Sequence, residues 1–246
     1  PPEAEIPRRR ASIRPSSRAA RTTAAPRLAS SRAVASPMPL EAPVTTTVFP
    51  LSSILMTLIL AGYNPGVAKV LVGVTGGIAA YKAPGVIRRL REAKHEVRAV
   101  ATEAAFRFIP EETLSVAAGS RVYTDVTWWE RSGRVEHVSL ARWADLVLVA
   151  PATADSMARA AIGLGDDLLS ATILAGAKRV LWAPAMNPEM WSSPATIRNV
   201  ETLKGWGHRF VGPAEGLMAS TEEQPGAGRL ADEAEIVAAL EEILAS

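Results

Sequence analysis

From Ala68 onward the chain alternates apolar runs with stretches of helical spacing, and that alternation leaves few folds open. KVLVGV (Lys69 to Val74), EVRAVAT (Glu96 to Thr102), ADLVLVAPAT (Ala144 to Thr153) and RVLWAPAM (Arg179 to Met186) read as strands. Continuous apolar character, rather than strict alternation, marks strands covered on both faces. Between them, Gly76 to Ala93, Glu103 to Phe108 and Ala154 to Ala175 read as helical, and Asp232 to Ala245 reads as an amphipathic closing helix with Ile236, Ala239, Leu240 and Ile243 at helical spacing. Strand–helix units in series predict an α/β fold, a three-layer parallel sheet with helices on both faces and ligands at the carboxyl ends of its strands.

Everything ahead of this pattern differs in composition. Residues 1–40 carry eight Arg and two Glu with no Lys or Asp, a charge of +6 in a chain whose formal total is +2, so the remainder is −4. The basic signal belongs to a tail, and the body offers no electrostatic footprint for nucleic acid. Rich in Pro, Arg, Ser and Ala and without periodicity, the tail reads as disordered. A dispensable extension, an organellar transit peptide, an export signal and translated sequence upstream of a start at Met38 or Met56 all fit that composition. Val48 to Gly62 is an apolar run short of the ~20 residues of a membrane-spanning helix, so no membrane partner is expected and the location is read as cytoplasmic. The expected division is an extension over 1–62 and a domain over 67–246. Cysteine is absent, which excludes disulfides, thiolate metal sites and any catalytic thiol of the protein's own.

Three strand ends carry the chemistry. In V-T-G-G-I-A, Val74 to Ala79, a strand enters a helix through two glycines, whose missing Cβ lets backbone N–H groups approach a phosphate. It is neither G-x-G-x-x-G nor a P-loop, so nicotinamide and nucleoside triphosphate readings are weak; close packing of helix on strand is the alternative. In A-P-A-T-A-D-S, Ala150 to Ser156, Thr153 and Ser156 offer hydroxyls and Asp155 is placed to cap a helix starting near Met157. In A-P-A-M-N-P-E-M-W, Ala183 to Trp191, Asn187 sets a neutral amide at the pocket, suited to a carboxylate that must depart. His137 precedes the third strand and is a candidate for taking a proton from a thiol or acid. His95 and His208 stand in surface-like contexts without an expected role.

The motifs V-T-G-G-I-A-A-Y-K (74–82), H-V-S-L-A-R-W-A-D (137–145), P-A-T-A-D (151–155), G-D-D-L-L-S (165–170) and P-A-M-N-P-E-M-W (184–191) resemble the homo-oligomeric flavin-containing cysteine decarboxylases. That family includes phosphopantothenoylcysteine decarboxylase of coenzyme A biosynthesis and the peptidyl-cysteine decarboxylases that tailor ribosomal peptides. The likeness covers residues 67–233 and does not extend to the flavin prenyltransferases, whose first turn reads T-G-A-S-G. It implies a flavodoxin-like, Rossmann-type domain, a trimer or dodecamer, and FMN held between subunits. By matching position, FMN would contact Gly76, Gly77, Ile78, Thr102, Glu103, Ala104, Thr153, Ala154, Asp155, Ser156 and Ala185. His137 and Asn187 match the catalytic histidine and the carboxylate-holding asparagine, and Met190 lies in the same motif. Leu217, Ala219, Ser220 and Leu230 fall in or beside the substrate-covering flap.

One departure matters. Coenzyme A decarboxylases carry A-C-G in the flap, and the flap here, residues 212–230, aligns Ser220 with that cysteine. In the family, substrate cysteine loses two electrons to FMN and then carbon dioxide, leaving an enethiol; in the coenzyme A branch the flavin reduces the enethiol and the flap cysteine supplies a proton. A hydroxyl is a far weaker acid than a thiol, so the reduction is expected to fail. No ligase domain, of the kind carried by the fused bacterial coenzyme A enzymes, is expected beside the decarboxylase domain. The expected activity is therefore oxidative decarboxylation of a Cys-terminated precursor peptide to an aminoenethiol, the precursor of an aminovinyl-cysteine ring as in lanthipeptide-like products. The alternatives are phosphopantothenoylcysteine as substrate, which the spellings of P-A-T-A-D and P-A-M-N-P-E-M-W favour, and a non-catalytic FMN-binding regulatory subunit.

Overall fold

Lys69–Val74 forms strand β1, and all of it beyond Lys69 is buried. It lies inside a six-stranded sheet in a computed structural model that describes residues 66–130, 133–217 and 225–246. The expectations for residues 1–65 and for Ala219 and Ser220 lie outside the described residues. The remaining strands of the sheet are β2 (Glu96–Ala101), β3 (Val122–Tyr123), β4 (Leu146–Ala152), β5 (Val180–Pro184) and β6 (Arg209–Phe210). Their order is β3-β2-β1-β4-β5-β6 and every adjacent pair is parallel. The chain builds outward from β1 in one direction and then crosses to its other side, so the order reverses between β1 and β4. In an open parallel sheet such a reversal splays the connections apart and opens a crevice beyond the carboxyl ends of the two strands.

The flavodoxin-like expectation holds, and the period-two geometry of β1 explains its layers. Val70, Val72 and Val74 face helices α1 (Ala83–Glu92) and α2 (Glu111–Ala118), with Ile87, Leu90, Leu114, Ile236 and Leu240 in the same core. Leu71 faces the opposite layer with Leu140, Met157, Leu168 and Leu203. That second layer holds α4 (Glu136–Trp143), α5 (Ala154–Ala161), α6 (Leu168–Leu174) and α8 (Pro194–Gly205). The short α3 (Asp125–Trp128) and α7 (Pro188–Ser192) follow β3 and β5, and α9 (Glu233–Ala245) closes the described chain. Beyond the main sheet, β7 (Ala214–Gly216) and β8 (Gly226–Arg229) form an antiparallel hairpin.

Several boundaries differ from the sequence reading. The helix predicted over Ala154 to Ala175 is two helices, because Gly163 adopts φ of +70° and Asp167 starts a new capped helix whose Ser170 N–H it accepts at 2.7 Å. The first helix begins as a 3₁₀ turn over Ile78–Lys82 before Ala83, and Glu103–Arg107 is 3₁₀ throughout. His95 is not a surface residue. It is 5% exposed, accepts the Ala68 N–H through Nδ1 at 3.2 Å and bonds Glu241 through Nε2 at 2.7 Å, tying α9 to the start of β1.

Candidate functional site

Thr75, directly after β1, organises the crevice. Pairing of β1 with β4 stops at Gly73 and Val149, and β4 then slips register against β5 before Ala152. Two backbone groups beyond the parting are taken up by one side chain. Thr75 Oγ1 donates to the Pro151 carbonyl at 2.7 Å and accepts the Thr153 N–H at 3.1 Å, and the residue is 1% exposed. The sequence reading passed over Thr75, although a hydroxyl residue between an apolar strand and two glycines is the available signal.

The loops around this clip approach each other closely. A Cβ on Gly76 would stand 2.3 Å from the Ala104 Cβ, which no side chain tolerates, whereas one on Gly77 would stand 3.5 Å from Thr153 Cγ2. Ala185 donates its N–H to the Ala152 carbonyl at 3.0 Å, prolonging the β4–β5 contact. The expected cofactor set of Gly76, Gly77, Ile78, Thr102 to Ala104, Thr153 to Ser156 and Ala185 thus gathers at the carboxyl ends of β1, β2, β4 and β5. Ile78 is exposed there, and the buried Thr102 Oγ1 has no hydrogen-bond partner.

Thr153, not Asp155, caps α5. Its extended backbone lets Oγ1 accept the Ser156 N–H at 3.2 Å, with the Ser156 hydroxyl 2.9 Å away. Asp155 instead pairs with Arg159 at 2.8 Å, and Arg159 also bonds Asp166. These carboxylates hold the guanidinium pKa above its ordinary value.

His137 is the second residue of α4, and its ring is held by Trp128. The indole Nε1–H donates to His137 Nδ1 at 3.1 Å, the rings meeting edge to face. Trp128 ends α3, which is fixed twice. Thr124 and Thr127 cap it reciprocally, and Asp125 Oδ1 accepts the Leu168 N–H at 2.7 Å, linking α3 to the G-D-D-L-L-S motif. Burial raises the Asp125 pKa, the Leu168 N–H opposes that shift, and Asp167, Glu103 and Asp166 add to it.

Asn187 is the N-cap of α7, and its Oδ1 accepts the Glu189 N–H at 2.7 Å. The carbonyl is thereby committed, and the amide presents donors to whatever lies beside it. The flap hairpin is pressed onto this loop. Met186 donates its N–H to the Gly228 carbonyl at 2.9 Å, and a Cβ on Gly228 would stand 2.2 Å from the Met186 carbonyl oxygen. Met190 and Leu217 are exposed, at 48% and 80%. Leu230, expected beside the substrate, is 2% exposed and packs in the core with β1 and α9. Among the described residues no hydrogen bond joins His137 to Asn187 or to the glycine turn. His208, expected at the surface, accepts the Trp182 Nε1–H at 3.0 Å, and burial lowers its pKa.

Among the described residues no cluster of three or more His, Asp or Glu side chains is placed to hold a metal ion. No helix there is long and apolar enough to cross a membrane.

The Flavoprotein family model matches residues 62–245. CoaBC of Mycobacterium tuberculosis, the coenzyme A biosynthesis bifunctional protein, is 50% identical over 176 residues, 72% of this chain and 41% of that protein. The chain therefore spans about two fifths of the length of the curated relatives it matches. Among solved structures, a Cys-to-Ser mutant of PPC decarboxylase complexed with pantothenoylaminoethenethiol is 32% identical, with a TM-score of 0.67 over 73% of this chain and 100% of that one. The FMN-dependent cysteine decarboxylase SpaF is 34% identical, with a TM-score of 0.63 over 75% of this chain and 100% of that one.

Proposed function

Because the chain belongs to the Flavoprotein family, we propose that it is an FMN-dependent cysteine decarboxylase acting on phosphopantothenoylcysteine, the step of coenzyme A biosynthesis. The observation that carries the choice of substrate is the 50% identity to CoaBC over 176 residues. The peptidyl-cysteine expectation rested on Ser220 and on the lack of a ligase domain, and it gives way to that identity. It stays as the second reading because the chain has no cysteine to return a proton.

The crevice fits FMN. Gly76 leaves no room for a side chain and Gly77 leaves its backbone uncovered, the N-terminus of α5 and the hydroxyls of Thr153 and Ser156 suit a phosphate without a cation, and the buried Thr102 hydroxyl lacks a partner. Bound there, FMN would accept two electrons from the substrate cysteine and, in the coenzyme A branch, give them back. The protein's own groups bind and orient. The Asn187 amide donors grip the substrate carboxylate without a positive charge that would hold it in the ground state. The hairpin lies against Met186 and Pro188, on either side of that amide. A trimer with FMN at subunit contacts belongs to the same proposal.

Mass spectrometry of both substrates tests the reading. Phosphopantothenoylcysteine is expected to lose carbon dioxide alone, about 44 Da, with the flavin ending oxidised. Turnover confined to a Cys-terminated peptide, with loss of about 46 Da, overturns it in favour of the peptide-tailoring role. No turnover of either by the FMN-loaded protein removes the enzymatic reading.

A further inference from the structure

Residues 54–60, ILMTLIL, are apolar except for Thr57 and carry no charge, and the run around them is too short to cross a membrane. Exposed to water, such a stretch is unfavourable, and soluble proteins cover apolar surface of this extent by packing it against something. The segment leads into β1 at Lys69, the amino end of a central strand.

An apolar hollow lies at that end of the domain. Ala160, Leu164, Ile173, Leu174, Trp206 and His208 line about 130 Å³ between α5, α6 and the turn into β6, and no charged residue is among the lining. Leu174 and Trp206 are 60% and 58% exposed, and His208 ties the wall to the core by accepting the indole N–H of the fully buried Trp182. The position follows from the chain: α6 ends at Leu174 ahead of β5, and Trp206 and His208 lie just ahead of β6. The Lys69 N–H donates to Asp145 Oδ2 at 3.0 Å and Lys178 Nζ to Asp145 Oδ1 at 3.1 Å, which joins the start of β1 to the chain between α6 and β5. Ile78, Tyr81, Phe108 and Trp129 are also exposed, but they follow the carboxyl ends of β1, β2 and β3, at the other end of the sheet. In the order β1-β4-β5-β6 the strand beside the hollow is three spacings from β1, about 14 Å. Residues 60–68 span up to about 26–29 Å when extended, enough to reach the hollow and rise onto the helix layer.

We propose that residues 54–60 fold back onto their own domain and cover the hollow between α5, α6 and Trp206. On the scale of a ~150 Å³ cavity that holds one benzene, the hollow takes one Leu or Ile side chain, and the neighbours of that side chain cover Leu174 and Trp206. Uncharged segment meets uncharged lining, and the short connection gives the contact an effective concentration that a second copy in dilute solution does not match. The inference is independent of the decarboxylase reading, because the hollow lies away from the FMN crevice.

The chain has no cysteine, so introduced pairs report contact without background. In the FMN-loaded full chain, Leu55→Cys, Leu58→Cys or Ile59→Cys is combined with Leu174→Cys and oxidised at low protein concentration. At least one combination is expected to close a disulfide within the chain, seen as a faster monomer band on a non-reducing gel. The same cysteines paired with Val116→Cys, 80% exposed on α2 across the sheet, are expected to stay open. Disulfides that form only between two chains overturn the proposal in favour of a second copy as the occupant. No bond at Leu174, or equal bonding at Val116, overturns it outright. Combining Leu55→Ser, Leu58→Ser and Ile59→Ser is expected to speed amide hydrogen exchange at residues 171–176 and 203–208 roughly tenfold with flavin content unchanged. Unchanged exchange in a variant that keeps its flavin also overturns the docking. Where the triple variant does not fold, the cysteine pairs decide, since each changes only one residue of the segment.

Discussion

Replacing Thr75 by Val changes one hydroxyl into a methyl of nearly the same volume, so no cavity forms and only hydrogen bonding is removed. Two bonds go at once: the one donated to Pro151 at 2.7 Å and the one accepted from Thr153 at 3.1 Å. Leaving a buried polar group without a partner costs about 1–3 kcal/mol. The Pro151 carbonyl, within fully buried β4, bears that cost in full, whereas Thr153 is only partly buried and water recovers some of its share. A total of about 2–4 kcal/mol follows, or roughly 5–15 °C in Tm for a domain of this size. The same change frees the start of α5 from the end of β1, so FMN affinity is expected to fall with stability. Thermal unfolding and fluorimetric FMN titration of wild type, Thr75→Val and Thr75→Ser measure both effects. Serine keeps the bonds and loses one buried methyl, about 1 kcal/mol. A Thr75→Val protein whose Tm lies within about 2 °C of wild type would refute the clip.

Gly76→Ala places its Cβ against the Ala104 backbone and side chain, so the two loops must separate; the variant is expected to fold but to lose FMN, and full flavin occupancy after purification would contradict the cradle. Asn187→Asp keeps an oxygen to cap the Glu189 N–H, so Tm is expected to hold. It loses the amide donors and adds a charge that repels a carboxylate, so decarboxylation is expected to fail, and near-normal kcat would return Asn187 to a purely structural role. Burial holds the folded-state pKa of His208 below its ordinary value of 6.5, so the unfolded chain takes the proton first. That contribution to stability is complete above about pH 6.5 and lost as pH falls below it. His208→Asn retains an acceptor near Trp182 without a titrating ring, and a pH–Tm slope between about pH 7 and pH 5 as steep as in wild type would show that His208 is not its source.

What was legible in the sequence was what backbone geometry imposes on residue type. β1 and β4 are apolar throughout because both faces are covered, and Gly76 is glycine because Ala104 leaves no room for a Cβ. The break within Ala154 to Ala175 was read past although the sequence carries it: Gly163 and Gly165 interrupt the stretch, and Asp167 caps the helix that follows. Leu230 was misplaced for a related reason: it neighbours the flap in sequence, but the chain dives into the core immediately after β8.

Side-chain clips were not legible, because each joins residues distant in sequence or requires the identity of a specific atom. Thr75 finds Pro151 and Thr153 only once β1 and β4 are neighbours, and Asp125 meets Leu168 only once α3 packs beside α6. The Trp128–His137 pair is close in sequence, yet a histidine in a motif does not say which nitrogen is bare. Only the indole N–H, 3.1 Å from Nδ1, makes that distinction. What a motif side chain can offer therefore depends on the neighbour it bonds. Asn187 Oδ1 accepts the Glu189 N–H, and His137 Nδ1 accepts the Trp128 indole N–H. In the proposed reaction the uncharged Asn187 amide would hold a departing carboxylate by hydrogen bonds without a full positive charge.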